Sequence, residues 1–119
     1  MSRYVDVYLL PVPKRNLEKY RKMAKKAGKL FVKHGALSYR EYVASDLKAK
    51  GMMPFPKLTK LKPSEALVYA AVEFKSEAHR NKSMARMFKD PKMKSMEPDM
   101  ELFEMKRMSY GGFEPLVDL

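Results

Sequence analysis

Three side chains in this sequence have the chemistry for proton or anion work and sit where a fold could use it: Asp6, His34 and Arg107. Asp6 interrupts an otherwise apolar run, Tyr4-Val5-Asp6-Val7-Tyr8-Leu9-Leu10. A carboxyl buried beside tyrosines has its pKa raised and suits general acid or base catalysis. The competing reading pairs it as an ion across an interface, with Arg107 or Arg40. Arg107 would otherwise serve as the partner of a bound anion. His34 falls in the last turn of a helical pattern, where the macrodipole favours a cation. It reads either as a catalytic base, which needs an orienting carboxylate, or as a helix-end residue held by a structural hydrogen bond. His79 reads as exposed. Tyr4, Tyr8, Tyr39, Tyr69 and Tyr110 would line an apolar cavity for a small aromatic molecule, or equally pack an interface. Met84, Met87, Met93, Met96, Met105 and Met108 read as core and interface filler rather than a copper or haem site.

A second chemistry is carried by charge. The formal net charge is +11 over 119 residues. Much of it lies on residues 14–34, where nine Lys or Arg face a single acid, Glu18. Lys19, Lys22, Lys25, Lys26, Lys29 and Lys33 would bind nucleic-acid phosphates, or simply form a solvated helix face. No aromatics are interleaved on that side and no glycine-rich cradle accompanies it, which weighs towards solvation. The chain has no cysteine and only two histidines. Disulfides, thiolate catalysis and Cys-based zinc sites are therefore excluded, and neither a metal nor another cofactor is expected. No apolar run approaches the roughly 18 residues that span a bilayer, and Asp6 spoils the N-terminus as a signal peptide. A cytoplasmic protein with no membrane partner is the expectation.

These residues have to be positioned by a small number of elements. Residues 3–12 alternate as a strand. In 14–34, Leu17, Tyr20, Ala24, Ala27, Phe31 and His34 recur at helical spacing, with Met23 and Leu30 at the margin. Gly28 inside that pattern implies close approach to a sheet, Pro13 suits the start and Gly35 the stop. Residues 37–45 predict a second strand and 66–74 a third. Residues 46–65 form a long irregular loop containing Met52, Met53 and Phe55. Ser76 caps a helix through about Lys89, buried through Ala78, Met84, Ala85, Met87 and Phe88. Asp90-Pro91 starts a short helical turn through Met96. An acidic stretch over 97–104 follows, then a last strand over about 105–110 and an apolar tail over 111–119.

The order β-α-β, loop, β-α-β predicts a single α+β domain over 1–119. It would be a ferredoxin-like four-stranded antiparallel sheet with two helices on one face. The uncovered face is expected to carry Tyr4, Asp6, Tyr8, Tyr69 and Glu73. Such an aromatic face needs a cover, and a second copy in a two-fold homodimer is the simplest one.

Several motifs point further. They are Tyr4-Val5-Asp6, Val12-Pro13-Lys14, Tyr20, His34-Gly35-Ala36-Leu37, Phe55-Pro56, Ser76 with Arg80, and Asp90-Pro91 with Met93. To these is added Lys106-Arg107-Met108 with Tyr110-Gly111-Gly112-Phe113-Glu114. Together they resemble the DUF1428 family, a YbaA-like group of small bacterial proteins, from Tyr4 to Leu119. The resemblance implies a dimeric α/β-barrel fold, in a superfamily that includes antibiotic-biosynthesis monooxygenases and muconolactone isomerases. A cofactor-free oxygenase or isomerase acting on a small apolar or aromatic ligand is the activity that superfamily implies. The sequence departs from the family pattern at Met100–Met105, after Arg80, and at Ala71 in the third strand.

Overall fold

The computed structural model describes residues 3–96 and 101–119; Glu97 and Asp99 of the acidic stretch lie outside them. The elements are β1 (Tyr4–Pro13), α1 (Leu17–Lys33), β2 (Ser38–Val43), α2 (Phe55–Thr59), β3 (Glu65–Phe74), α3 (Glu77–Phe88), α4 (Pro91–Lys94) and β4 (Ser109–Phe113). All four strands pair antiparallel in the order β2-β3-β1-β4. This is the ferredoxin-like arrangement, and in one chain it is an open sheet rather than a closed barrel.

Strand parity decides what lies beneath the helices. In β1, Leu10 and Val12 are 1% and 0% exposed and pack into the core with Tyr20, Met23, Val68 and Met87. Side chains alternate with period two, so Tyr4, Asp6 and Tyr8 must share that covered face. This corrects the expectation that they face outward. The aliphatic residues Val5, Val7 and Leu9 take the open face instead, where β3 contributes Tyr69 and Glu73 and β2 contributes Tyr42. The apolar alternation of 5, 7 and 9 mimics a core face, whereas the buried end of the strand, Leu10 and Val12, sets the parity.

A similar phase error affects α3. Ala78, Ala85 and Phe88 are exposed, and the buried face runs Arg80, Ser83, Met84, Met87. Two of those four are polar, so counting apolar residues alone turned the helix away from the sheet. Ser76 caps it as expected, accepting from the His79 backbone N–H at 3.1 Å. The last strand also shifts. Residues Met105–Arg107 form a 3-10 turn, and Gly111 and Gly112 pair with Val7 and Asp6 inside β4. The long loop holds the short helix α2, with Met52, Met53, Phe55 and Leu58 exposed on it. Among the described residues, no helix is long and apolar enough to cross a membrane.

The α1 helix ends at His34 and turns through Gly35 at φ +119°, a region that glycine enters without strain. Its middle lies so close to β2 that a Cβ placed on Gly28 would meet the Tyr39 ring at 2.6 Å. Gly28→Ala would gain about 1 kcal/mol in helix propensity yet overpack this contact, an effect of about 1–3 kcal/mol. The variant is expected to be net destabilised in urea melts; equal or greater stability would show that α1 has room to lift.

Candidate functional site: a tyrosine and methionine cavity

The close packing of α1 on β2 builds one end of a cavity of about 500 Å³ between the helices and the sheet. Tyr20, Met23, Ala24, Ala27 and Phe31 reach it from one helical stripe, and Tyr8 and Leu10 from β1. Met84 and Met87 of α3, with Met93, Met96, Met105 and Met108, form the opposite wall. Small residues at 24 and 27 leave the space, and flexible thioethers surround it.

The polar end of this apolar cavity is Glu41, the one carboxylate among its described lining residues. Tyr39 and Glu41 are two residues apart on β2 and so project from the same face. Tyr20 donates its hydroxyl to Glu41 Oε1 at 2.5 Å, and Tyr39 donates to Oε2. The Tyr39 ring is fixed from behind by stacking on Phe31, with centroids 5.3 Å apart. Burial first, then the Glu41 charge and its hydrogen bond, push both tyrosines well above their ordinary pKa. Burial, with Asp6 adding to it, pushes Tyr8 up to about 12. All three stay protonated at neutral pH.

The expected catalytic residues lie elsewhere, in three separate ion pairs. Asp6 is 0% exposed and accepts from Arg80 Nε at 2.9 Å and from the Tyr110 hydroxyl at 2.8 Å. Arg80 also donates to the Tyr110 oxygen at 3.0 Å. The partner of Asp6 is thus Arg80, neither Arg107 nor Arg40. Arg107 grips Glu65 with both terminal nitrogens and donates to the Lys60 carbonyl at 3.0 Å. His34 does find a carboxylate, since its Nε2 lies 2.8 Å from Asp90 Oδ2, which Lys33 also holds at 3.0 Å. None of Asp6, His34 and Arg107 lines the cavity.

Of the five tyrosines, Tyr8 and Tyr39 line it. The Tyr110 ring stands 5.1 Å from Tyr8. Tyr4 packs at the other end of β1 against the cluster of Ala36, Val72 and Phe74. Tyr69 lies on the open face, stacked on Tyr42 at 5.7 Å. His79 is not simply exposed, because its Nδ1 is buried without a hydrogen-bond partner. The six α1 lysines are all exposed, Lys33 being the one tied to Asp90. Among the described residues, no group of three or more His, Asp or Glu is placed to hold a metal ion.

Sequence reasoning missed Glu41, Tyr20 as its partner, and Arg80. Parity links Glu41 to Tyr39 and helical spacing puts Tyr20 on the inner face. That the two meet is a long-range fact which no local pattern carries.

The fold and cavity together define a ferredoxin-like α+β domain with an apolar pocket roofed by its helices. Residues 3–105 match the family described as "Protein of unknown function (DUF1428)", and the chain belongs to that family. It is 37% identical over 116 residues to the uncharacterized protein YbaA of Escherichia coli K12, covering 98% of each chain. Among solved structures it is similar to SnoaB, a cofactor-independent oxygenase from Streptomyces nogalater. There the TM-score is 0.61 at 10% identity, covering 100% of this chain and 98% of that one. A dimeric ferredoxin-like protein from an uncultured marine organism matches with TM-score 0.61 at 9% identity, over the whole of both chains. At these identities the structural likeness establishes the fold.

The ion pairs have a consequence for acid stability. Hydrogen bonds from His34, the Lys92 backbone and Lys33 hold the Asp90 carboxyl well below its usual range. Arg107 lowers Glu65 in the same sense. A carboxyl with a depressed folded pKa stabilises fully above the unfolded value, about 4, and loses that contribution as pH falls through the folded one. Calorimetry is expected to show Tm level between about pH 7 and 5 and falling below about pH 4. Combining Asp90→Asn with Glu65→Gln should lower the neutral Tm and flatten the acid limb; an unchanged slope would assign that limb to other groups.

Proposed function

We propose that this protein is a homodimer whose helix-roofed cavity binds a small, largely apolar or aromatic molecule. The carrying observation is the cavity of about 500 Å³ that ends on Glu41. That volume lies within the roughly 300–1,000 Å³ range of small-molecule sites, and apolar walls with one polar end are what such a ligand requires. The dimer reading is supported by the open sheet face, where Tyr42 and Tyr69 are 52% and 42% exposed beside Val5, Val7 and Leu9. A described relative in fold is itself dimeric.

Turnover of the bound molecule by a cofactor-free oxygenase or isomerase is the further step of this reading. Its support is the fold shared with SnoaB, and a fold hosts many chemistries. Within the chain, Glu41 is the group placed to accept a proton from a ligand in the cavity. Asp6, Arg107 and His34 are assigned to holding β1, β3 and α1 against their neighbours. The lysines of α1 other than Lys33 are assigned to solvent.

Naphthol, a small aromatic probe with one polar atom, tests the cavity. Calorimetric titration is expected to give saturable binding, and Ala27→Phe, which fills the cavity, to weaken it at least tenfold with Tm retained. Binding that is indifferent to Ala27→Phe would place the ligand elsewhere and overturn the reading. Light scattering should give twice the 13.8 kDa chain mass; a monomer at all concentrations would remove the dimer.

A further inference from the structure

The hydrogen bonds around Glu41 restrict the ligand more narrowly than the cavity walls do. Tyr20 and Tyr39 each have a single hydroxyl proton, and both protons are directed at Glu41. Burial and the adjacent charge keep those protons in place. At this end of the cavity the donors are therefore spent and lone pairs remain. A carboxylate has about four lone-pair positions, of which the tyrosines occupy two.

The remaining positions are open to an occupant. Glu41 is half-buried and lines a second cavity too, of about 480 Å³, between α1 and the edge strand β2. Tyr20, Ala24, Tyr39 and Glu41 are the wall that the two cavities share. The carboxylate is thus reachable from the ligand space rather than sealed behind its tyrosines.

Each class of polar group can be weighed against this arrangement. An anionic head would bring a second negative charge to the half-buried Glu41, which is repulsive; Arg21 and Lys25 line the second cavity but not the apolar one, where Lys94 is the cation on the lining. An ether or carbonyl would bring lone pairs to the lone pairs of Glu41; the Tyr8 hydroxyl could donate to it, but Glu41 would gain no donor and would stay unmatched. An ammonium would pair with Glu41 but must be stripped of water among thioethers and aromatic carbons. It must also reach a chain carrying +11 and a cavity with Lys94 on its lining. A neutral O–H satisfies the carboxylate at the smallest desolvation cost. The Tyr8 hydroxyl, also on the cavity lining, can turn to accept from the ligand oxygen or donate to it.

Building on the ligand-binding reading above, we infer that the cavity selects aromatic or conjugated molecules presenting a neutral hydroxyl donor, a phenol or an enol, to Glu41. Glu41 is then the specificity-determining residue, with Tyr20 and Tyr39 as positioning residues that aim its free lone pairs into the cavity.

Four naphthalenes of nearly one size separate the possibilities: naphthol, its methyl ether, naphthoate and naphthylmethylammonium, each titrated into the wild-type protein and into Glu41→Gln. The expected order places naphthol at least tenfold tighter than its methyl ether. Naphthoate and the ammonium compound should bind more weakly than naphthol. In Glu41→Gln the naphthol-to-ether ratio should shrink several-fold, because the amide offers a donor of its own and satisfies the ether. Tyr39→Phe, which frees one carboxylate oxygen without removing it, should retain the preference for naphthol. Binding of the ether or of naphthoate as tight as naphthol, with every affinity still lowered by Ala27→Phe, would overturn donor selection and leave the cavity reading standing. A ratio unaltered by Glu41→Gln would do the same. Failure of all four to bind would overturn both.

Discussion

The structure around the cavity depends on one carboxylate shared between two tyrosines. Glu41 on an edge strand is bonded to Tyr20 on α1 and to Tyr39 beside it, which ties the helix to the strand it covers. Hydrogen bonds to a charged acceptor are worth about 1.5–3 kcal/mol each, and these two hold a half-buried carboxylate between the cavities on either side of it. The bond also requires that α1 come close, and Gly28 is what permits it, since the Tyr39 ring fills the space a side chain would need. Close approach here, with alanine at 24 and 27, leaves an unfilled volume alongside. The cavity is thus a consequence of how the helix is seated rather than a separate feature.

Buried charge elsewhere serves the same architecture. Asp6 beneath α3, Asp90 at the end of α1 and Glu65 at the start of β3 are each matched by cations from a distant part of the chain. Each carboxylate reaches its partner across many residues: Asp6 meets Arg80, Asp90 meets Lys33 and accepts a hydrogen bond from His34, and Glu65 meets Arg107. Removing Arg80 would leave Asp6, which is 0% exposed, as an uncompensated buried charge, a change that costs about 3–5 kcal/mol. These pairs fix how α3 sits over β1, how the end of α1 meets the start of α4, and how the turn before β4 meets β3; among the described residues Glu41 is the carboxylate left lining the cavity.

How much of this was legible in the sequence follows from the range of the interactions involved. Local periodicity was enough for the element order, for the α1 face and for the ferredoxin-like layout, because those are set by spacing of three, four or two residues. The Ser76 cap and the Gly35 stop were legible for the same reason. Two choices that depend on a partner were not. Val5, Val7 and Leu9 suggest the wrong parity for β1, because Leu10 and Val12 carry the deeper burial. Ala78, Ala85 and Phe88, with Met84 and Met87, suggest one phase for α3, although Arg80 faces inward to meet Asp6. The candidate site suffered most, since Asp6 and Arg107 stood out as isolated charges while Glu41 looked like an ordinary charge on a polar strand. Its importance comes from Tyr20, 21 residues away in sequence.

The central claim is that Tyr20 and Tyr39 are held as protonated donors to Glu41 at the polar end of a largely apolar cavity. It is tested most directly by a pH titration of the tyrosine side-chain carbon resonances by NMR, assigned through Tyr20→Phe and Tyr39→Phe. The account predicts that both resonances remain unshifted at about pH 11, beyond the ordinary tyrosine value of about 10. In Glu41→Gln both should begin to titrate earlier, since the negative charge that opposes their ionisation is gone. Titration of Tyr20 and Tyr39 near the ordinary value in the wild-type protein would contradict it: the hydroxyls would then be free in water, and the polar end of the cavity would not be built as described.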